Sequence, residues 1–316
     1  MAASVWQRHP RYSVLVLVAI LTTVYLLVPY QPAEIPANYK RIVTSGADLE
    51  GRMKQSHEIY DRLLDARKGL IKKFGPNPSD IALFPPDKAP WPPYTVWDFF
   101  PAAFNCPHEI ERLGALGDGI NYESSFEAEI LKNTQNCEIW GYDFSVKSFG
   151  PEIPASLVHR THFKAFGLGG EDKHGPKDDP PMYTIETLMK MNGHTHIDIL
   201  KIDIEGYEFA TLTTLLKPYV NSGAPLPFGQ LQLEIHIWEK TFPQYLAWWE
   251  MLESTGLRPF WTEPNLVYQN YNKKKGTADL AEYSFLNVKG DNIFIKDSHR
   301  RPGPGDHHPH HPPARD

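Results

Sequence analysis

Three short stretches carry the side chains that could do chemistry. In IDILKIDIEGYEF, Ile197 to Phe209, the acids Asp203 and Glu205 alternate with Ile202 and Ile204. A strand running through Ile204 would project both carboxylates from one face. Such a pair can hold a cation, or one acid can take a proton while the other binds substrate. N-capping of the helix that follows accounts for one of the two more cheaply than catalysis does. In LQLEIHI, Leu231 to Ile237, Glu234 and His236 share a face in the same way, so His236 can act as acid, base or ligand, or be a satisfied core histidine. In CEIWGYD, Cys137 to Asp143, Asp143 closes an apolar run. Its two oxygens could accept both hydroxyl hydrogens of a ribose; a turn-starting aspartate is the plain alternative. The tail histidines His307, His308, His310 and His311 could chelate a metal only loosely.

The elements that must position these residues alternate short apolar runs with helical patterns beyond Leu116, as expected of an α/β domain with a parallel sheet and crossover helices. Strands are expected at Cys137 to Asp143, Thr161 to Leu168, Ile197 to Ile204, Leu231 to Ile237, Arg258 to Thr262 and Tyr283 to Lys289. In an open parallel sheet, ligands bind outside the carboxyl ends of the strands, where the acids of all three stretches fall. Ser124 with Glu127 reads as a capping box for a helix from about Phe126 to Asn133. Thr184 and Gly193 bracket the helix of YTIETLMKMNG, and PQYLAWWEMLESTG forms another before the fifth strand.

Upstream, Met53, Ile59, Leu63, Leu64 and Leu70 recur near helical spacing between Asp48 and Phe74, giving an amphipathic helix that serves as a stalk or packs on the domain as a lid. A proline- and aromatic-rich arm follows, pinned to the domain by Trp91, Trp97, Phe99 and Phe100. The uncharged run Tyr12 to Val28 reaches roughly 26 Å as a helix, enough for a thin early-secretory bilayer. Arg8 and Arg11 precede it and PYQPAEIP follows, which favours a retained signal anchor over a cleaved signal peptide. The expected layout is a short cytosolic tail over 1–11, an anchor over 12–29, a stem over 30–90, a lumenal domain over 91–296 in the Golgi or endoplasmic reticulum, and a disordered tail over 297–316. With 32 basic and 38 acidic residues intermixed and a net charge of -6, the chain offers no basic stripe for nucleic acid. The two cysteines, Cys106 and Cys137, could pair in an oxidising lumen or stay as buried thiols.

The run IDILKIDIEGYEF, followed about 25 residues later by LQLEIHIW, together with the arm PPYTVWDFFPAAFNCP, resembles the FkbM-type and membrane-anchored methyltransferase-like proteins over most of Trp91 to Lys289. The resemblance implies a Rossmann-like methyltransferase sheet, mostly parallel with an antiparallel last strand, and S-adenosylmethionine as methyl donor. It implies Asp143 near the cofactor ribose, Gly119 and Glu123 as remnants of the glycine-bearing cofactor turn, and Asp203, Glu205 and His236 as catalytic candidates lining the cleft; it assigns no metal.

The chain departs from that pattern at one place. LGALGDG, Leu113 to Gly119, runs directly into INYESSFEAEIL, Ile120 to Leu131, where the family pattern places an apolar first strand. Leu113 to Leu116 is a short substitute without β-branched residues. A central strand with about five buried apolar side chains supplies on the order of 8 to 15 kcal/mol before entropy is subtracted. Either another segment fills the slot, or this form folds poorly and binds no cofactor. Two rival readings follow: a Golgi-type metal-dependent glycosyltransferase using the acids of DIE, and a non-catalytic lumenal scaffold.

Overall fold

The computed structural model describes residues 49–85, 93–104, 123–265, 279–290 and 293–295. Five helices are seen among them: α1 (Leu49–Phe74), α2 (Ser125–Asn133), α3 (Ile185–Asn192), α4 (Glu208–Ser222) and α5 (Phe242–Ser254). The strands are β1 (Ile139–Tyr142), β2 (Thr161–Lys164), β3 (Gly167–Leu168), β4 (Met182–Tyr183), β5 (Ile197–Ile202), β6 (Phe228–His236), β7 (Leu257–Pro264) and β8 (Leu280–Asn287). The main sheet has the order β5-β6-β8-β7, with β5 parallel to β6 and β8 antiparallel to both its neighbours. The last strand among the described residues therefore returns to lie between β6 and β7, against their direction. β1 and β2 form a separate parallel pair, and β3 and β4 another. This mixed α/β arrangement of parallel pairs is consistent with a Rossmann-like fold.

Among the described residues no strand joins β1 to β5. Leu113 to Gly119, the expected stand-in for a first strand, lies outside the described residues, as do the apolar run Tyr12 to Val28, Trp91, Cys106 and the histidine tail. Among the described residues no helix is long and apolar enough to cross a membrane. β1 and β5 are tied to common neighbours by side chains. Trp140 of β1 meets His194 edge-on at 4.3 Å, and Tyr142 hydrogen-bonds Asn192 at the end of α3, shortly before β5 begins. On the other side, Lys201 of β5 reaches Glu127 of α2 at 3.8 Å and lies over the Phe126 ring.

Several local expectations need correction. The strand expected from Thr161 to Leu168 breaks after Lys164, because Gly167 and Leu168 turn away to pair with Met182 and Tyr183. The capping box at α2 does not form: the Ser124 hydroxyl accepts the Gly150 N–H instead, and Glu127 turns inward toward Lys201. The far end of α2 is closed by Arg160, whose guanidinium donates to the carbonyls of Leu131, Thr134 and Cys137. Thr184 does cap α3, accepting from the Thr187 N–H, and Gly193 ends that helix at φ 72°, a left-handed conformation. A cap missed in the sequence opens α5, where Thr241 and Gln244 form a capping box. Cys137 is a half-buried free thiol.

The core gathers on β6, whose residues are buried at eight of nine positions, and on the aromatic face of α5. Phe99 and Phe100 of the arm are fully buried against Phe242, Tyr245 and Trp249. Tyr283 of β8 donates to the Phe100 carbonyl at 2.9 Å. α1 packs on this assembly, though its most buried positions are Ser56, Tyr60 and Arg67, and the leucines only flank them. The reason is a buried ion pair: Arg67 donates two parallel hydrogen bonds to Glu253 of α5, at 2.9 and 2.7 Å, and a third to the Phe99 carbonyl. Tyr60 and Trp249 donate to the same carboxylate, and the guanidinium lies 5.0 Å from the Phe100 ring. One charged group thus fastens α1, the arm and α5 together. Removing one partner strands the other in a dry pocket, so Arg67→Met is expected to lower unfolding stability by about 3 to 5 kcal/mol, read as a fall in the urea midpoint; a change under about 1 kcal/mol would show the pair to be dispensable.

Candidate active site

The carboxyl ends of β5 and β6 lie side by side, since Ile202 pairs with Leu233 in parallel register. β5 stops at Ile202, so Asp203 and Glu205 are not on a strand and strand alternation does not bring them together. The turn does. Glu205 adopts φ 52° and Gly206 φ 96°, and this left-handed pair folds the chain back over the end of β6 before α4 begins. A left-handed glutamate is disfavoured because its Cβ crowds the following carbonyl. Gly206 fits beneath Trp238, whose ring would lie 3.5 Å from a Cβ at that position.

The turn is held by an acid that the sequence pattern does not single out. Glu208, the first residue of α4, is fully buried, and its Oε1 accepts the N–H groups of Ile204 and Gly206 at 3.2 and 3.1 Å. The same oxygen lies 2.9 Å from His236 Nδ1. An acid in the first turn of a helix is ordinarily a partner for the helix dipole, so nothing in the spacing distinguishes Glu208. His236, itself 2% exposed, meets Glu205 at 3.4 Å and Asp203 and Glu234 at 4.0 Å each through Nε2. Four carboxylates therefore converge on one imidazole. The second member of the β6 pair, Glu234, is held by Asn265, which donates to Oε1 at 2.8 Å.

The electrostatics follow from this crowding. Burial and repulsion from Asp203 push the Glu234 carboxyl up to about 7, against the Asn265 hydrogen bond and the His236 charge, which pull it down. Burial alone would favour a neutral His236 ring. The hydrogen bond to Glu208 and the charges of Glu208, Glu234 and Asp203 outweigh it, and the imidazole is raised above its usual 6.5.

The cofactor candidates stand apart from this cluster. Asp143 follows β1, and its Oδ1 accepts from the Ser145 N–H at 2.7 Å and the Ser145 hydroxyl at 2.6 Å. The turn-starting role therefore accounts for Oδ1 of this carboxylate. Glu123 accepts the Ser125 N–H at 3.0 Å at the start of α2. Gly119 lies outside the described residues. The structure brings together Asp203, Glu205 and His236, and adds Glu208, Glu234 and Asn265; it does not bring Asp143 or Glu123 into contact with them.

Two outcomes are expected. Because the folded pKa of Glu234 lies above its unfolded value, its contribution to stability is complete below about 4.5 and is lost as pH rises through about 7. His236, also raised, adds stability that is complete below about 6.5 and is lost as pH rises through its higher folded value. Urea midpoints measured in chelator from about pH 4.5 to 8 should fall, and Glu234→Gln, which keeps an acceptor for Asn265, should flatten the lower part of that fall. Glu205→Gly relieves the left-handed strain and one like charge, and should raise stability by about 1 kcal/mol, seen as a higher melting temperature; a lower one would mean that the Glu205 side chain supports the turn.

Comparison with known proteins bears on the same segment. Residues 131–259 match the family described as Methyltransferase FkbM domain. The match begins inside α2 and ends in β7, taking in Asp143, Asp203, Glu205, Glu208, Glu234 and His236. The human protein described as probable methyltransferase-like protein 24 is 29% identical over 144 residues, which covers 42% of this chain and 36% of that protein. The chain thus aligns with about a third of the length of that relative. No solved structure matches. Over residues 131–259, then, the chain is similar to FkbM-type methyltransferase domains.

Proposed function

We propose that the chain is an S-adenosylmethionine-dependent methyltransferase whose acceptor is a hydroxyl group, presented at the carboxyl ends of β5 and β6 to the cluster around His236. The observation that carries this reading is the convergence of Asp203, Glu205 and Glu234 on one buried imidazole at the end of two parallel strands. In the reaction the hydroxyl oxygen forms a bond to the methyl carbon as the carbon–sulfur bond breaks, and sulfur leaves with the electron pair as a neutral thioether. The hydroxyl proton must leave as well. Glu205, whose side chain is 75% exposed, is the group an acceptor meets first, and His236 behind it can share the proton. Direct displacement needs alignment more than reactive groups, so catalysis rests chiefly on holding the acceptor. Two aromatic side chains are suitably placed for this: Tyr207 is 58% exposed, and Trp238 sits 4.6 Å from the His236 ring. Flat rings of this kind favour the apolar face of a sugar, which fits a glycan hydroxyl.

The methyl donor would lie on the side of β1, with Asp143 Oδ2 toward its ribose. Anchoring by Tyr12 to Val28 would place the domain in the secretory lumen, facing a secreted or lumenal acceptor. The separation of β1 from β5 among the described residues favours a second reading, a non-catalytic scaffold that keeps the fold and has lost the nucleoside. The glycosyltransferase reading has no comparable support and would need a nucleotide sugar to bind.

Calorimetric titration of the full chain in mild detergent with S-adenosylmethionine separates these readings. Saturable binding is expected, weakened about tenfold by Asp143→Ala, the equivalent of about 1.4 kcal/mol. A chain that melts in one cooperative transition yet takes up no S-adenosylmethionine would refute methyl transfer and leave the scaffold.

A further inference from the structure

The cluster at His236 has more negative charge than its own residues can balance. The cationic partner among its members is the imidazole itself, and the backbone N–H groups of Ile204 and Gly206 and the amide of Asn265 supply only partial charge. Asp203, Glu208 and His236 each offer one ligand atom, and these atoms lie within 4.8 Å of one another. Around an ion with bonds of about 2.1 Å, adjacent ligands stand about 3 to 3.6 Å apart and opposite ones about 4.2 Å, so the three side chains would draw inward to share one ion. Glu208 supplies an independent sign of a missing ligand. It is 0% exposed, its Oε1 takes several donors, and its Oε2 has no hydrogen-bond partner. A buried carboxylate oxygen with nothing to accept is costly, and a cation is what such an oxygen, next to an imidazole and a second carboxylate, would accept.

We infer that Asp203, Glu208 and His236 bind one divalent cation at the carboxyl ends of β5 and β6. Two carboxylates and one imidazole suit an ion that takes both oxygen and nitrogen, Mn²⁺ above Ca²⁺. Glu205, at 3.4 Å from His236 Nε2 and reaching from the exposed side of the turn, can close a fourth position when the ion is present. The remaining positions are left for water, or for a hydroxyl or carboxylate oxygen of a bound molecule. The inference goes beyond methyl transfer and does not depend on it.

The test is titration of Mn²⁺ into the chelator-stripped full chain in mild detergent, followed by water-proton relaxation and by melting temperature. The tail histidines are a competing site, so the parent for the experiment carries alanine at 307, 308, 310 and 311. One Mn²⁺ per chain is expected, with a rise in melting temperature. Asp203→Asn, which keeps the shape of the side chain, should weaken binding at least tenfold and abolish the rise. In chelator the same variant should melt at or above the parent, because a repulsion has been removed; this separates loss of a ligand from loss of the fold. His236→Gln should repeat the loss of binding. Absence of one-to-one binding at millimolar Mn²⁺, or equal binding by Asp203→Asn, would overturn the inference, whatever S-adenosylmethionine does.

Discussion

Repulsion among carboxylates gathered at His236 is the constraint around which this part of the molecule is organised. Three of the four acids have separate restraints. Glu208 is held by two backbone N–H groups and the imidazole, Glu234 by Asn265, and Glu205 by a backbone that has been turned left-handed. None of these restraints is cheap. A left-handed glutamate, a fully buried acid opening a helix and a carboxyl pushed toward neutral pH all work against folding. Strain concentrated at a strand end is the usual mark of a site kept for what it binds.

The remainder of the domain provides the rigidity that this site requires. β6 is buried along nearly its whole length and carries Glu234 and His236 near its carboxyl end, so the imidazole inherits the precision of the sheet. Behind it, α5 presents its aromatic face to the arm, and the Arg67 pair with Glu253 fastens α1 over both. The β5–β6 end and the end of β1 differ in finish. The β5–β6 end is dense and well connected, whereas the end of β1 has an aspartate already shared with its own turn.

Much of this is legible from the amino-acid order, for reasons that differ by residue. Apolar runs such as LQLEIHI reveal β5, β6, β7 and β8 to within a few positions, and most plainly β6 and β8, where burial on both faces leaves little choice of residue. Thr184 and Gly193 mark α3 by local chemistry alone. Ser124 fails as half of a capping box because Gly150, remote in sequence, competes for its hydroxyl. Asp203, Glu205 and His236 stand out in the sequence, but by an argument about strand alternation that the left-handed turn replaces. Glu208 escapes notice because its role depends on a histidine 28 positions away, and Arg67 because a charged residue among leucines reads as solvent-facing until Glu253 is placed opposite it.

β5 carries a further implication. Ile199 and Leu200 are only half-buried, whereas the β6 residues beside them are mostly enclosed, and β5 contributes to the main sheet from one edge. Cooperative units of a protein divide where apolar contacts thin out. The seam along β5 is such a place, and a partial opening there would free the α2–β1–β2 lobe while leaving β6, β8 and β7 paired. Amide protons on that lobe would then exchange with solvent through partial openings, and those of β6 only through unfolding of the whole.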